Sequence, residues 1–116
     1  MIDKLTSTEQ ELEARELLEE THETGSTPMG RCLDGERVRI CGTVRTVTLR
    51  PRAGVPALEA ELYDGSGTVA VVWLGRRRIA GIEPGKTVVA EGRITRTAGR
   101  AVMYNPRYEL LAPGSA

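Results

Sequence analysis

Leu58–Leu74, LEAELYDGSGTVAVVWL, decides how the rest of the chain is read. Leu58, Ala60 and Leu62 share one face of its first half, with Glu59, Glu61 and Tyr63 on the other. Val69, Val71 and Trp73 share a face of the second half, opposite Ala70, Val72 and Leu74. Asp64-Gly65-Ser66-Gly67 separates the halves, and its glycines reach the positive φ that tight turns demand. Period-two alternation on both sides of such a turn predicts a β-hairpin.

Working backward, Val38, Ile40, Gly42 and Val44 alternate with polar residues and Cys41, whereas Val47 and Leu49 fall on the opposite parity. A glycine and a parity slip within one strand predict a bulge and a bend, so that this strand serves two sides of a small barrel. Working forward, Ile79 and Ile82 lie one helical turn apart in a segment too short for a substantial helix, and are suited to plugging a barrel end. Lys86 to Arg96 reads as a fourth strand, Thr97–Arg100 as a turn, and Ala101 to Tyr104 as a fifth strand, with Asn105 to Leu110 closing the domain. The sum is an all-β, five-stranded Greek-key barrel of the OB type. A five-stranded SH3-like barrel is the rival, and the longer connection between strands three and four favours OB.

Ahead of the barrel, residues 7–23 predict a helix. Ser7 with Gln10, or Thr8 with Glu11, offers a capping box. Leu5, Leu12, Leu17 and Leu18 form only a thin apolar stripe, which suits docking on the barrel, pairing with another protein, or fraying. Thr24 to Pro28 reads as a linker. The expected organisation is an acidic helix and linker over residues 1–30, a barrel over 31–111 and a flexible tail over 112–116.

At 116 residues, 28% charged and 40% hydrophobic, the chain holds one domain with one core. No apolar run approaches a membrane span of ~20 residues, so no membrane association is expected. The first 18 residues are acidic and lack the apolar region of a secretory signal, which leaves the cytoplasm as the expected location. Cys32 and Cys41 read as reduced, partly buried thiols. With His22 as the one histidine, neither a metal nor any other cofactor is expected.

The formal net charge of zero hides a division. Residues 1–30 carry eight acidic groups against two basic, a net of −6, and residues 31–116 carry fourteen basic against eight acidic, a net of +6. A basic body behind an acidic arm points to a polyanion partner. All but two of the sixteen basic residues are arginine, whose planar multi-donor head suits phosphate, although a GC-rich gene gives the same bias.

Arg37 to Val44, Glu61 to Gly67, Ile82-Glu83-Pro84-Gly85 and Glu91-Gly92-Arg93 resemble the OB-fold nucleic-acid-binding superfamily. That group includes the anticodon-binding domains of class II aminoacyl-tRNA synthetases and the wedge domain of RecG-type helicases. Tyr104 to Glu109 is similar to the wedge domain's closing segment, where a Pro-x-Tyr-Glu tetrad also follows strand five. Val72–Arg77, Ile79, Gly81–Ile82, Pro84–Gly85 and Tyr104–Leu110 are similar to small stand-alone bacterial OB-fold proteins, mostly actinobacterial. The resemblance covers about two thirds of the chain and omits the acidic helix. It implies a binder of DNA or RNA.

OB barrels usually hold ligands across strands two and three, between the first-to-second and fourth-to-fifth strand loops. Arg50 and Arg52 fall in the first of those loops, Arg96 and Arg100 flank the second, and Arg76, Arg77 and Arg78 follow strand three. These seven arginines are the expected phosphate contacts, against the alternative of solvated loop charge. Tyr63, on the outward parity, is the expected stacking residue. Tyr104 is a further candidate for either face, and Tyr108 a residue that closes the barrel end. Trp73 falls on the inward parity with Val69 and Val71, a core position. Glu59 and Glu61 point outward where an aromatic is common, with Arg39 and Arg45 as their expected cross-strand partners. So few aromatics predict weak, sequence-tolerant, salt-sensitive binding.

An enzyme is not expected. Gly85-Lys86-Thr87 is similar to the end of a P-loop, but Ala80 stands where that motif needs glycine, and Thr87 opens a strand. The expected function is therefore non-enzymatic binding of single-stranded or branched DNA, or RNA. The alternative is an adaptor whose acidic N-terminal helix docks on a larger nucleic-acid-processing enzyme.

Overall fold

The computed structural model describes residues 7–111. Leu5, the Ser7 side chain of the expected capping box and the expected tail over 112–116 lie outside the described residues. A helix, α1 (Ser7–Glu23), and a single 3-10 turn (Met29–Arg31) precede six strands: β1 (Arg37–Leu49), β2 (Ala57–Tyr63), β3 (Thr68–Leu74), β4 (Thr87–Thr97), β5 (Arg100–Tyr104) and β6 (Arg107–Leu110). They form one sheet in the order β1-β2-β3-β5-β4-β6, and a further β1–β4 pairing closes it into a ring. β3 and β5 run parallel and the other pairs antiparallel.

The parity slip in β1 is where the ring turns its corner. Residues 37–43 of β1 pair with β4, and residues 43–49 pair with β2. The register shifts between Val44 and Thr46, which leaves Arg45 as the bulged residue. Gly42 sits at the bend because a Cβ there would lie 2.8 Å from the Tyr63 carbonyl oxygen and 2.6 Å from Cε of Met29.

The opening hairpin is in the expected register, with Leu58 opposite Trp73 and Leu62 opposite Val69. Its inward residues meet Val38, Ile40 and Val44 of β1, Val88, Ala90 and Ile94 of β4, and Met103 of β5 in a single apolar core. Ile79 and Ile82 are buried in that core and plug its end from a turn, with Ile82 N donating to Ile79 O at 3.1 Å. Trp73 is a core residue: its indole meets the Tyr108 ring edge-on at 5.5 Å, and its Nε1 donates to Pro106 O at 3.4 Å. Fully burying side chains of this size contributes about 1.5–3 kcal/mol each.

A sixth strand joins the expected five. Val88–Glu91 of β4 pairs with β6, continuing the edge that Ile94–Thr97 offers to β5. Every β6 residue is exposed, so no apolar alternation marks it in the sequence.

Of the three roles open to α1, the structure shows docking on the barrel. The buried Thr21 hydroxyl lies 3.0 Å from Leu17 O and 3.3 Å from Cys41 O of β1. Gly65, at φ +93°, lets the hairpin turn approach the backbone of Ala14, whose carbonyl oxygen any Cβ there would strike. The chain after α1 is stapled to the same turn. Asp64 is fully buried, its Oδ2 accepts Met29 N at 2.8 Å, and its Oδ1 accepts Ser66 N, Ser66 Oγ and Gly67 N. Gly30 N donates to Ser66 Oγ at 2.9 Å, and the Met29 side chain enters the core.

Both cysteines are free and buried. Burial, followed by the nearby Glu36 carboxylate, pushes the Cys32 thiol up to about 11, and burial likewise raises Cys41. Among the described residues, no helix is long and apolar enough to cross a membrane.

Candidate nucleic-acid interface

The outward residues of β2, β3 and β5 form one continuous face. Glu59, Val72 and Tyr104 lie in one row across it, and Glu61, Ala70 and Val102 in the next. Ala57, Ala70, Val72 and Val102 are buried together as a small apolar floor, separate from the barrel core.

Two arginines reach onto this floor from the loops that bracket it. Arg52 is set by a tight turn in which Arg52 N donates to Val55 O at 2.8 Å and Val55 N to Arg52 O at 2.9 Å. Ala53 and Gly54, the two central residues, both take positive φ (51° and 79°). The turn between β4 and β5 repeats the pattern with Ala98 and Gly99 (51° and 79°), and Arg100 follows it directly. Two positive-φ residues in succession are the signature of a two-residue turn that matches strand twist. Each Ala-Gly pair thus places one arginine.

Both arginines converge on Glu59. Arg52 Nη2 lies 3.3 Å from Oε1 and Arg100 Nη2 3.0 Å from Oε2, and the Glu59 side chain is only 9% exposed. The Arg52 guanidinium also lies over the Tyr104 ring, 5.7 Å from its centroid, while its Nε is buried without a hydrogen-bond partner. Tyr104 is 40% exposed, so the outer side of the stack is open to solvent.

Glu59 and Glu61 both lie on the outer face as expected; Glu61 is exposed, whereas Glu59 is covered there by two arginines. One expectation is corrected: Arg39 and Arg45 do not pair with these carboxylates. Arg39 lies in the half of β1 that pairs with β4, directly opposite Glu91, and meets it at 3.2 Å. Arg45, thrown out of register by the bulge, meets Glu13 of α1 at 3.0 Å.

The remaining candidates divide into three groups. Arg96 lines a groove of about 350 Å³ with Arg100, Glu61, Thr68 and Gly30, and its Nε donates to Cys32 O at 2.9 Å. Arg50, Arg76, Arg77 and Arg78 are exposed, and among the described residues their side chains have no ion pair or hydrogen bond. Gly75 N donates to Pro56 O and Leu74 N to Asn105 Oδ1, which seats the head of the Arg76–Arg78 run beside the Arg52 loop and the end of β5. Tyr63 stands apart, with the Arg45 guanidinium over its ring at 4.3 Å. The partnership of Glu59 with Arg52 and Arg100 escaped the sequence reading, and its local signal was the pair of Ala-Gly dipeptides beside those arginines.

The fold of this face is shared with known proteins. The structure of RecG bound to a three-way DNA junction superposes with a TM-score of 0.60 at 23% identity, over 76% of this chain and 13% of RecG. The replication factor A related protein from Methanobacterium thermoautotrophicum gives 0.56 at 12% identity, over 75% of this chain and 91% of its own. Yeast Stn1 and Ten1 give 0.54 at 12% identity, over 87% of this chain and 60% of theirs. This chain therefore spans only a small part of the RecG polypeptide. No curated protein matches it by sequence. Residues 38–113, which run from β1 past β6, match one family throughout, and the chain belongs to it: the OB-fold nucleic acid binding domains.

Proposed function

We propose that the face of β2, β3 and β5 binds single-stranded or branched DNA, or RNA, as a binding module and not as an enzyme. The observation that carries the reading is the Arg52–Tyr104 stack beside the Arg100–Glu59 pair, flanked by the exposed Arg50, Arg76, Arg77 and Arg78. Unstacked bases find a π surface on Tyr104, and phosphates find guanidinium donors on both sides of it. RecG, one of the structural neighbours, is bound to a three-way DNA junction, which supports the same class of ligand. Such a ligand is in keeping with a cytoplasmic location.

With one open tyrosine, most of the affinity comes from phosphate contacts, and binding falls steeply with salt. Fluorescence anisotropy with labelled DNA and RNA oligomers at ~50 mM salt tests this, and the log–log slope should be about −0.7 per phosphate contacted on single strands. No binding to any oligomer under those conditions refutes the reading.

The exposed side of α1 favours a second role on the same molecule. Glu11, Arg15, Glu19, His22 and Glu23 line a depression together with Ala14 and Leu18, and Leu12 is 49% exposed. This is the surface by which the domain would dock, as an adaptor, on a larger nucleic-acid-processing enzyme. Retention of a purified candidate enzyme by the full chain but not by a Leu12→Glu variant tests it. Equal retention by both removes α1 from that role.

A further inference from the structure

We infer that Glu59 is a built-in counter-anion that selects single strands over duplex, an assignment that rests on the binding face proposed above. Each oxygen of one carboxylate takes the Nη2 of a different arginine, at 3.3 and 3.0 Å, and the carboxylate is buried beneath them. The centre of the face therefore holds two guanidiniums with a net charge of +1. The guanidinium edges turned away from Glu59 stay accessible, since the Arg52 and Arg100 side chains are 39% and 52% exposed.

Duplex and single strand feel this arrangement differently. Duplex presents phosphates outward and keeps its bases stacked, so its attraction to a small surface is almost wholly a matter of phosphate neutralisation. Glu59 removes one positive charge from the centre of the face and weakens that attraction. A single strand brings unstacked bases as well, and these meet a feature that Glu59 leaves in place, the open side of Tyr104. The same carboxylate keeps Arg52 gathered over Tyr104. Two free guanidiniums at this spacing would repel one another and fan out toward solvent.

Glu59→Gln is nearly isosteric, and Glu59→Thr suits a strand without leaving a long amide in place. Both are compared with the unaltered chain by anisotropy on a duplex and on a single strand of equal length, from ~50 mM salt upward. Glu109→Gln, on β6 and away from the face, controls for the unit change in net charge. In the Glu59 variants the duplex slope should steepen by about 0.9, which corresponds to roughly a tenfold gain in duplex affinity at ~50 mM salt. The single-strand slope should steepen by only about 0.7, so the preference for single strands falls roughly twofold at ~50 mM salt, while Glu109→Gln leaves that preference unchanged.

An unchanged duplex slope in the Glu59 variants, or an equal gain on both ligands, overturns the inference while the binding reading stands. Loss of the cooperative thermal transition in both Glu59 variants also overturns it, by making the carboxylate a structural element. If the unaltered chain binds neither ligand, the binding reading fails and takes this inference with it.

Discussion

The Arg52 guanidinium lies over the ring of Tyr104, 5.7 Å from its centroid, on a face that is otherwise poor in aromatic surface. Tyr63, the residue that parity favours for stacking, is covered instead by Arg45 at 4.3 Å, and Arg45 is held there by Glu13 of α1. The two tyrosines should therefore behave differently. Tyr104→Ala should cost about 1–3 kcal/mol of single-strand affinity, roughly five- to 150-fold, with the salt slope unchanged. Tyr63→Ala should cost less than half as much in free energy. Anisotropy with one oligomer across a salt series measures both.

Among the described residues Arg76, Arg77 and Arg78 have no side-chain partners, so their removal should affect binding and not folding. The triple alanine variant should lower the magnitude of the single-strand salt slope by about 2, since each neutralised phosphate contributes about 0.7 to it. Its thermal midpoint should stay within about 2 °C of the parent, as expected of exposed substitutions. A slope that does not change removes this run from the interface.

Gly65→Ala should loosen α1 from the barrel. The position has φ +93°, and an added Cβ would strike the Ala14 carbonyl oxygen, so both backbone strain and a backbone clash oppose it. The expected cost is about 1–3 kcal/mol. Hydrogen exchange should accelerate across α1 while the amides of β2 and β3 keep most of their protection. Unchanged exchange in α1 would show that the helix is not docked through this turn.

The buried thiols predict how stability varies with alkali. Cys32 is raised from 9.0 to about 11, so the folded chain keeps a proton that the unfolded chain releases. Stability is therefore fully present below about pH 9 and declines as pH rises from 9 toward 11. Urea denaturation midpoints at pH 7.5 and 10 should differ in that direction, and Cys32→Ala should flatten the difference. Within the folded protein, both thiols should react with an aromatic disulfide reagent far more slowly than in urea.

The sequence makes the barrel legible because its signals are local. The Leu58–Leu74 hairpin, the parity slip that became the Arg45 bulge, and the Ile79/Ile82 plug each follow from a period or a spacing within a few residues. β6 was hidden because its four residues are all exposed and it is held by backbone pairing to β4. The site was legible as a set of arginines but not as an arrangement. That Glu59 draws in Arg52 and Arg100, and that Asp64 ties Met29 to the hairpin turn, depends on pairings between residues 7 to 41 positions apart. Such pairings appear only when the turns and strands that carry these residues have come together. Parity placed Tyr63 correctly on the outer face, yet it carried no information about the arginine that covers it.

Amide chemical-shift mapping shows whether nucleic acid lies across β2, β3 and β5. On titrating a short single strand into isotopically labelled protein at low salt, the largest shifts should fall at Arg52, Glu59, Val72, Gly99, Arg100 and Tyr104, and at Gly75 to Arg78. Small shifts on that face, with the largest confined to the outer side of α1 at Glu11, Leu18 and His22, would mean that nucleic acid does not lie there.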